Sequence, residues 1–453
     1  INWYPAHMKK RYLDWVSNLK WDWCISRERF FGIPIPVYIC RNCKEIILPK
    51  EEDLPLDPKE KKFSLPCPHC HKLSIEPETT VLDTWFTSSL TPEVNNQHLC
   101  NNQLRGKILP MSMRPQAHDI IRTWAVYTIL MSLYLRNDIP WRNLMISGHV
   151  LVKKGEKISK KTGGGQYKPQ DLINEHSADA IRYSMFQAGL GKDSYFEESQ
   201  IANGKKLVTK LYNSGRFVLA NLNNFDPATK ISDDRIAPID QWILQKGEET
   251  AVDMAKEFEQ YEYAKALSKF EKFFWSDFTD NYLELIKGRL YADGNNETKI
   301  SAQFAIYRIY KNILKMIAPF LPHIAEEMYH STFTKIGEAI MEGKMTSDYN
   351  SGLYYQIDKV KSINNSPWPT SENIHYDEKI KGGVSMMLDI ISEIRKFKSE
   401  KRLKLSSPIK IAVIECENQN KKDLITNFIE DIKSVGKIEK LILQTATNNY
   451  HDP

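Results

Sequence analysis

The chain has 453 residues, of which 42% are hydrophobic and 26% charged, with 22 prolines and 20 glycines. This length exceeds what one hydrophobic core normally organises, so we predict several domains. The composition excludes global disorder, collagen-like repeats and low-complexity sequence. The longest mostly apolar run, residues 124–135, is too short to span a bilayer. The net charge of +5 is a mild lean towards polyanionic partners.

Four of the seven cysteines form two CxxC pairs. They are Cys40 with Cys43, and Cys67 with Cys70. Two such turns supply four thiolates, which is a ligand set for structural zinc, and the polar segment between them would gain its stability from the metal. Four unliganded thiols are the alternative. The odd and sparse cysteine count favours a reducing compartment over a disulfide framework, so we expect a cytoplasmic protein.

Residues 105–190 have an α/β pattern. Short apolar runs at 107–113 and 143–152 predict two strands, and apolar residues at helical spacing between them predict a connecting helix. Such a βαβ unit binds ligands at the carboxyl ends of its strands. The lysine- and glycine-rich segment that follows, "KKGEKISKKTGGG" at 153–165, suits a phosphate chain, although a solvated basic loop is the commoner explanation. A further helix is predicted at 169–186.

Two segments, one within this region and one before it, carry candidate substrate contacts. Asp119 begins a predicted helix with Ile120 and Trp124 on one face, an arrangement that suits the ammonium group and side chain of an amino acid. An ordinary helix start is favoured on this pattern alone. The segment "VLDTWFTSSL" at 81–90 contains adjacent aromatic residues, for which burial in a core strand is the commoner explanation.

From residue 198 onwards the pattern is helical, with short breaks typical of a bundle of antiparallel neighbours. Residues 340–375 form a poorly patterned connector. A small unit follows it, with an amphipathic helix, a strand at 409–415 and a second helix near 424–432. The basic run at 395–404 carries six positive charges, and contact with RNA or a solvated helix face explains it equally well.

Several motifs occur in one order along the chain and together resemble the carboxyl-terminal part of the class I aminoacyl-tRNA synthetases, the valine-type members in particular. Isoleucine-type relatives carry a "DVWFDSG"-like stretch where this chain has "LDTWFTSS", so an isoleucine-type protein is the disfavoured alternative. Besides the two CxxC turns, the motifs are "WDWCISRERFFGIPIPV" (21–37), "VLDTWFTSSL" (81–90), "RPQAHDIIRTW" (114–124), "KISKK" (157–161) and "FFWSDFTDNYLELIKGRLY" (273–291).

The resemblance implies an α/β plus all-α architecture. Residues 1–37 correspond to the catalytic domain after the editing insertion, and 38–80 to a zinc ribbon. Residues 81–197 correspond to the second half of the Rossmann-type catalytic domain, with a KMSKS-type loop. Residues 198–365 correspond to a helical anticodon-binding domain, and 366–453 to a small α/β unit.

The resemblance also implies which residues bind the amino acid. Trp85, Ile120 and Trp124 match the pocket for the valine side chain. Asp119 matches the carboxylate that faces the substrate ammonium group.

The ATP-binding residues follow in the same way. Lys157 and Lys160 match the two catalytic lysines of the KMSKS loop, with Ser159 between them. Gly148 and His149 match the stretch near the adenosine. The loop departs from the family pattern at its second and fifth positions, where this chain has Ile and Lys instead of Met and Ser, but both lysines that act on ATP are present.

The implied activity is ATP-dependent formation of valyl-adenylate and transfer of the valyl group to tRNA(Val). The implied cofactors are ATP with Mg²⁺ as substrate and Zn²⁺ as a structural ion, and we expect a monomer that does not contact a membrane. The family's HIGH motif, first nucleotide-fold half and editing domain have no counterpart in these residues, so we expect a fragment that is inactive alone. The alternative is a tRNA-binding module, or half of a split enzyme, without autonomous catalysis.

Overall fold

A computed structural model describes residues 1–99, 102–153, 156–157, 168–222, 225–226, 231–292, 294, 296–334, 362–369 and 378–445. Its internal contacts divide the chain into two units. One comprises residues 1–150 and 190–194, and the other comprises residues 151–189 and 195–453. Among the described helices, none has the length and apolar character needed to cross a membrane. The five-part domain division made from the sequence stays a prediction.

The first unit contains short strands and four α-helices among its described residues. In chain order these elements are β1 (Asn2–Tyr4), α1 (Met8–Asn18), β2 (Ser26–Arg27), β3 (Tyr38–Cys40), β4 (Ile46–Ile47), β5 (Ile75–Pro77), β6 (Val81–Leu82), α2 (Thr84–Ser89), α3 (Thr91–His98), β7 (Met111–Ala117), α4 (Val126–Arg136) and β8 (Trp141–Ser147).

A parallel sheet with strand order β1-β8-β7 forms the centre of this unit. The chain between β7 and β8 is helical almost throughout, as a 3-10 turn (His118–Ile120), a π-helical segment (Ile121–Ala125) and then α4. The predicted βαβ unit is therefore confirmed. Its first strand occupies 111–117 rather than 107–113, because Met111 is the first residue to pair with the neighbouring strand.

The strand predicted at 143–152 is in fact two strands, β8 and β9 (Val150–Lys153). Gly148 and His149, which are in neither strand, separate β8 from β9 along the chain. A Cβ atom on Gly148 would lie 2.0 Å from the backbone oxygen of Lys192, so only glycine permits this close approach of two backbones. The break places His149 in a loop at the end of the sheet.

The prediction of a core strand for residues 81–90 was wrong. Only Val81–Leu82 is extended, and Thr84–Ser89 forms α2. Asp83 is the N-cap of that helix, and its carboxylate accepts a hydrogen bond from the backbone N–H of Trp85. The capping interaction outweighs the β-propensity of the aromatic residues.

The second unit is mainly helical, as predicted. Its described α- and π-helices up to residue 334 are α5 (Pro169–His176), α6 (Ala178–Phe186), α7 (Glu198–Asn221), α8 (Pro238–Glu259), α9 (Tyr263–Lys272), a π-helical segment (Phe273–Tyr282), α10 (Leu283–Leu290), α11 (Glu297–Ile317), α12 (Pro322–Tyr329) and a second π-helical segment (His330–Thr334). The carboxyl-terminal part contains the helices Glu378–Glu400, Gln419–Thr426 and Ile429–Gly436 and the strands Ile409–Cys416 and Ile438–Thr445. Two short strands, β10 (Glu156–Lys157) and β11 (Ser194–Tyr195), are also present, and β11 lies at the boundary between the units.

Three predicted elements of this unit differ in detail. The helix predicted at 169–186 is two helices, because Ser177 has a positive φ of 75° and its side chain caps the second of them. The helix predicted near 424–432 is also two short helices. The strand Ile409–Cys416 pairs in parallel with Ile438–Thr445, a strand that the sequence pattern did not predict.

A buried ion pair joins three helices of the bundle. Asp240 on α8 is 0% exposed and receives two hydrogen bonds from the guanidinium group of Arg289 on α10, at 2.8 and 2.9 Å. The hydroxyl of Tyr282 donates to the same carboxylate at 2.7 Å, and the hydroxyl of Ser301 on α11 donates to it as well. Every oxygen of Asp240 is thus satisfied, which is the condition under which a buried charge is tolerated.

Asp240→Ala should lower the free energy of unfolding by about 3–5 kcal/mol, since it removes the carboxylate that accepts both hydrogen bonds from the guanidinium group of Arg289 and leaves that charge beside the more distant carboxylate of Asp431, 4.0 Å away. Urea denaturation followed by circular dichroism measures the effect. Asp234→Ala, which removes an exposed carboxylate nearby, is the matched control and should change the value by less than about 0.5 kcal/mol. Equal effects of the two substitutions would contradict a stabilising role for this ion pair.

Candidate functional site

The loops that follow β7 and β8 leave the sheet at one edge. These strands are parallel, and Ala117 pairs with Ser147 at their carboxyl ends. The next residues, His118 and Asp119 after β7 and Gly148 with His149 after β8, therefore lie at the same edge. Ligands of open parallel sheets bind at this edge.

Three of these residues form a polar cluster. The Nε2 atom of His149 lies 3.7 Å from a carboxylate oxygen of Asp119. The imidazole rings of His118 and His149 have centroids 4.5 Å apart and an interplanar angle of 61°. The Asp119 side chain is 45% exposed, so a ligand at the edge can reach it. The structure thus brings together two of the residues predicted from the sequence, Asp119 and His149.

The sequence interpretation did not identify Asp193 and His118, which belong to the same cluster. One oxygen of Asp193 accepts the backbone N–H of His149 at 2.8 Å and lies 2.9 Å from Nε2 of His118. The hydrogen bond from the His149 backbone, followed by that from the His118 side chain, lowers the pKa of Asp193. Forty-four residues separate Asp193 from His149, and no local motif in the sequence links them.

The three residues predicted to contact a valine side chain belong to one apolar cluster. Trp124 is 4% exposed, stacks on Trp141 with a centroid distance of 5.2 Å, and donates its indole N–H to the Ser88 carbonyl at 3.2 Å. Trp85 and Ile120 are partly buried and pack against the same cluster. Trp85 and Ile120 are therefore the more accessible of the three, and Trp124 belongs to the buried core.

Buried polar contacts fix the helix that carries Trp85. Asp83 at its N-terminus is 5% exposed and forms a 2.6 Å ion pair with Arg27. The indole N–H of Trp23 donates to the same carboxylate at 3.1 Å, and its ring stacks on Tyr127 with centroids 3.8 Å apart. Trp23 and Arg27 lie in the motif at 21–37 and Asp83 in the motif at 81–90, but the contacts between the two motifs depend on the fold.

The lysine loop lies mostly outside the described residues. Lys157 is the last residue of β10, which pairs antiparallel with β9. Ser159 and Lys160 fall within residues 158–167, which the structure does not describe. The ATP-binding role of these three residues stays a prediction.

The two CxxC turns meet at one point in the first unit. The Sγ atoms of all four cysteines lie within 4.8 Å of one another. The sulfur of Cys40 is 3.6 Å from that of Cys70, and the sulfur of Cys43 is 3.6 Å from that of Cys67. A tetrahedral zinc ion with Zn–S bonds of about 2.3 Å requires sulfur separations of about 3.8 Å, so the four thiols fit this ion.

Both CxxC turns have the same backbone conformation. The residue after each second cysteine, Lys44 or His71, has a positive φ, of 63° and 57° respectively. Its N–H donates to the carbonyl of the first cysteine of the pair, at 2.8 Å for Cys40 and 2.9 Å for Cys67. Three antiparallel strands in the order β4-β3-β5 support the site, and Cys40 is the last residue of β3.

A cavity of about 570 Å³ lies in the second unit, between α7, the end of the π-helical segment, α10 and the carboxyl-terminal helices. Basic side chains outnumber acidic ones in its lining, and they still do when Lys398, whose charge is buried, is left out of the count. The basic residues are Lys210, Lys287, Arg395, Lys398 and Lys437, and the acidic residues are Asp280 and Glu284.

Lys398, within the basic run at 395–404, is buried rather than solvated. It is 1% exposed, and its ammonium group donates to the carbonyl oxygens of Leu405, Ser407 and Gly436 at 2.7–2.9 Å. Burial lowers its pKa. This charge therefore stabilises the carboxyl-terminal unit and is not available to a polyanion.

Two family models match this chain. Residues 1–197 match the description "tRNA synthetases class I (I, L, M and V)", and residues 240–413 match "Anticodon-binding domain of tRNA ligase". Two solved structures under 25% identical share the fold. A LeuRS–tRNA–LeuAMS complex from Agrobacterium radiobacter K84 has a TM-score of 0.57 and 18% identity, over 94% of this chain and 51% of that one. Mycobacterium tuberculosis methionyl-tRNA synthetase in complex with methionyl-adenylate has a TM-score of 0.53 and 14% identity, over 74% of this chain and 61% of that one.

Curated relatives extend the similarity over the whole chain. Proteins named valine–tRNA ligase are 37% identical in Ehrlichia ruminantium (strain Welgevonden), over 100% of this chain and 52% of the relative, and 35% identical in Rickettsia prowazekii (strain Madrid E), over 97% and 52%. The protein named valine–tRNA ligase from Methanosarcina mazei is 35% identical over 90% of this chain and 44% of its own length. The chain thus spans about half the length of these relatives. Together with the two family models, this similarity shows that the chain belongs to the class I aminoacyl-tRNA synthetases.

Proposed function

We propose that this chain is part of a valine–tRNA ligase, which activates valine with ATP to valyl-adenylate and transfers the valyl group to tRNA(Val). The observation that carries the proposal is the convergence of Asp119 and His149 at the carboxyl edge of β7 and β8. The similarity to valine–tRNA ligases over the whole chain favours valine over isoleucine as the substrate. The monomeric state and cytoplasmic location stay predictions.

In this proposal the amino acid lies against α2 and the helical segment after β7. The exposed carboxylate of Asp119 attracts the ammonium group of valine, and Trp85 with Ile120 provides the apolar wall for its side chain. Trp124 supports this wall from the core, through its stacking on Trp141. Such a pocket discriminates poorly against threonine, which has nearly the same shape as valine and differs by a hydroxyl group. Valyl-tRNA synthetase is itself the standard example of this limit.

The resemblance assigns the adenosine of ATP, which binds with Mg²⁺, to Gly148 and His149. It assigns the phosphates of ATP to Lys157, Ser159 and Lys160. A carboxylate oxygen of valine attacks the α-phosphorus of ATP, and the bond to pyrophosphate breaks. Such a displacement requires alignment and neutralisation of charge rather than a protein nucleophile. The lysines supply the charge that stabilises the leaving pyrophosphate.

Lys160→Ala in the full-length protein should lower the rate of valine-dependent pyrophosphate exchange by about 100-fold or more, with little change in the KM for ATP. The reason is that its charge acts on the pyrophosphate as that group leaves. Lys161→Ala, which removes a neighbouring charge at the position where the family has Ser, is the control and should retain most of the rate. An unchanged exchange rate in Lys160→Ala would refute the catalytic role of this lysine.

The four clustered thiols support structural zinc in the first unit. They would bind the ion as thiolates and close all four coordination positions, which leaves none for a substrate. Zinc would therefore stabilise residues 38–80 and take no part in the reaction.

Cys43→Ser should lower the zinc content, measured by mass spectrometry of the metal, from about one ion per chain towards zero, because three thiolates bind zinc less tightly than four. Cys24→Ser is the matched control, since Cys24 is an exposed cysteine outside the cluster. It should retain the metal. A zinc content near zero in the unsubstituted protein would contradict the assignment. So would a zinc content that Cys43→Ser does not change.

The basic cavity of the second unit supports tRNA binding. It lies partly within the residues that match an anticodon-binding domain, and its excess of lysine and arginine suits the phosphates of an RNA loop. Lys210 and Lys287 line it with side chains that are each more than a third exposed, and they pair with its two acidic residues, Lys210 with Asp280 at 3.9 Å and Lys287 with Glu284 at 2.6 Å.

The double substitution Lys210→Ala with Lys287→Ala should weaken tRNA(Val) binding by about tenfold and reduce its dependence on salt, because two phosphate contacts are lost. Binding is measured by filter binding at several salt concentrations. Lys410→Ala with Lys440→Ala removes the same charge from exposed strand positions outside the cavity and is the control. The same loss in both double variants would indicate a general charge effect and contradict the cavity as the RNA site.

A further inference from the structure

We propose that Asp193 is a positioning residue of the nucleotide site, which holds His118 and the loop at His149 in the orientation that binds adenosine. This inference rests on the proposed function, because it assigns Asp193 to the ATP site of that reaction. Asp193 touches neither substrate in this proposal and acts through the two histidines.

The hydrogen bonds of Asp193 connect the two loops at the edge of the sheet. A single carboxylate oxygen accepts the backbone N–H of His149, after β8, and the Nε2–H of His118, after β7. An aspartate is ionised at neutral pH, and these hydrogen bonds lower its pKa further, so the carboxylate can only accept hydrogen bonds. His118 must therefore carry a proton on Nε2, which fixes its tautomer and the direction of its ring.

Tight backbone packing brings Asp193 to this position. The N–H of Gly191 donates to the Ile146 carbonyl and that of Ser194 to the His149 carbonyl, both at 2.9 Å. Gly191 has a φ of 69°, and a Cβ atom there would lie 2.7 Å from Pro5. Together with the close approach at Gly148, these contacts fix the segment 190–194 against the end of β8.

Asp193 also holds the two imidazole rings in place. With centroids 4.5 Å apart, the rings of His118 and His149 form one wall at the edge, and Nε2 of His149 faces Asp119. Fixing His118 in one tautomer and His149 through its backbone lets both rings meet a nucleoside without reorganisation. Asp193 thus provides preorganisation for adenosine rather than a contact with it.

The test compares three variants of the full-length protein. Asp193→Ala removes both hydrogen bonds, and Asp193→Asn keeps an oxygen that can accept them. Lys192→Ala, an exposed neighbour, is the matched control. Titration calorimetry measures the Kd values of ATP and valine, and ¹⁵N NMR of the histidine side chains reports the tautomer of His118.

We expect Asp193→Ala to raise the Kd of ATP by about tenfold and leave the Kd of valine within about twofold, since the positioning acts on the nucleotide side. The NMR signal of Nε2–H in His118 should be lost or mixed in this variant, and Asp193→Asn should restore most of both properties. Unchanged ATP affinity in Asp193→Ala, or an equal loss for ATP and valine, overturns the inference.

Pyrophosphate exchange separates this inference from the proposed function. If the unsubstituted protein binds ATP but shows no valine-dependent exchange, the proposed function fails, and the effect of Asp193→Ala on ATP affinity still decides the inference. If exchange is normal in the unsubstituted protein and ATP affinity is the same in Asp193→Ala, the inference alone fails. If the unsubstituted protein does not bind ATP, both are overturned.

Discussion

The candidate site depends on the parallel pairing of β7 with β8. Parallel strands end at the same edge of their sheet, so the pairing of Ala117 with Ser147 brings the residues after both strands together. Asp119 and His149, thirty residues apart in the chain, lie 3.7 Å apart for this reason. A shift in the register of this pair by one residue would turn the side chains of one strand to the opposite face of the sheet and separate Asp119 from His149.

Two close contacts made by glycine residues hold the chain in place at this edge of the sheet. Gly148 allows the backbone at Lys192 to pass within a distance that no side chain would permit. Gly191, with its positive φ, turns the same segment beside Pro5. These glycines therefore serve the site without offering a side chain to it. The cysteine cluster is independent of them, because the positive φ values at Lys44 and His71 shape both of its turns.

Patterns in neighbouring residues predicted a large part of this protein. The CxxC spacing predicted the four-cysteine cluster, and apolar periodicity predicted the helix after β7 and the helices of the second unit. Features that depend on distant residues were not predicted. The cap at Asp83 made a helix of residues 84–89, the approach of Lys192 divided a strand at Gly148, and three carbonyl groups buried Lys398. Asp193 was missed because its partners, His118 and His149, are far from it in sequence.

The most direct test of this account is a crystal structure of the full-length protein with a non-hydrolysable valyl-adenylate analogue. The account predicts that the adenosine contacts Gly148 and His149, that the ammonium group lies within about 3 Å of the Asp119 carboxylate, and that the valyl side chain packs against Trp85 and Ile120. An analogue bound elsewhere, with this edge of the β7–β8 pair free of nucleotide, would contradict it.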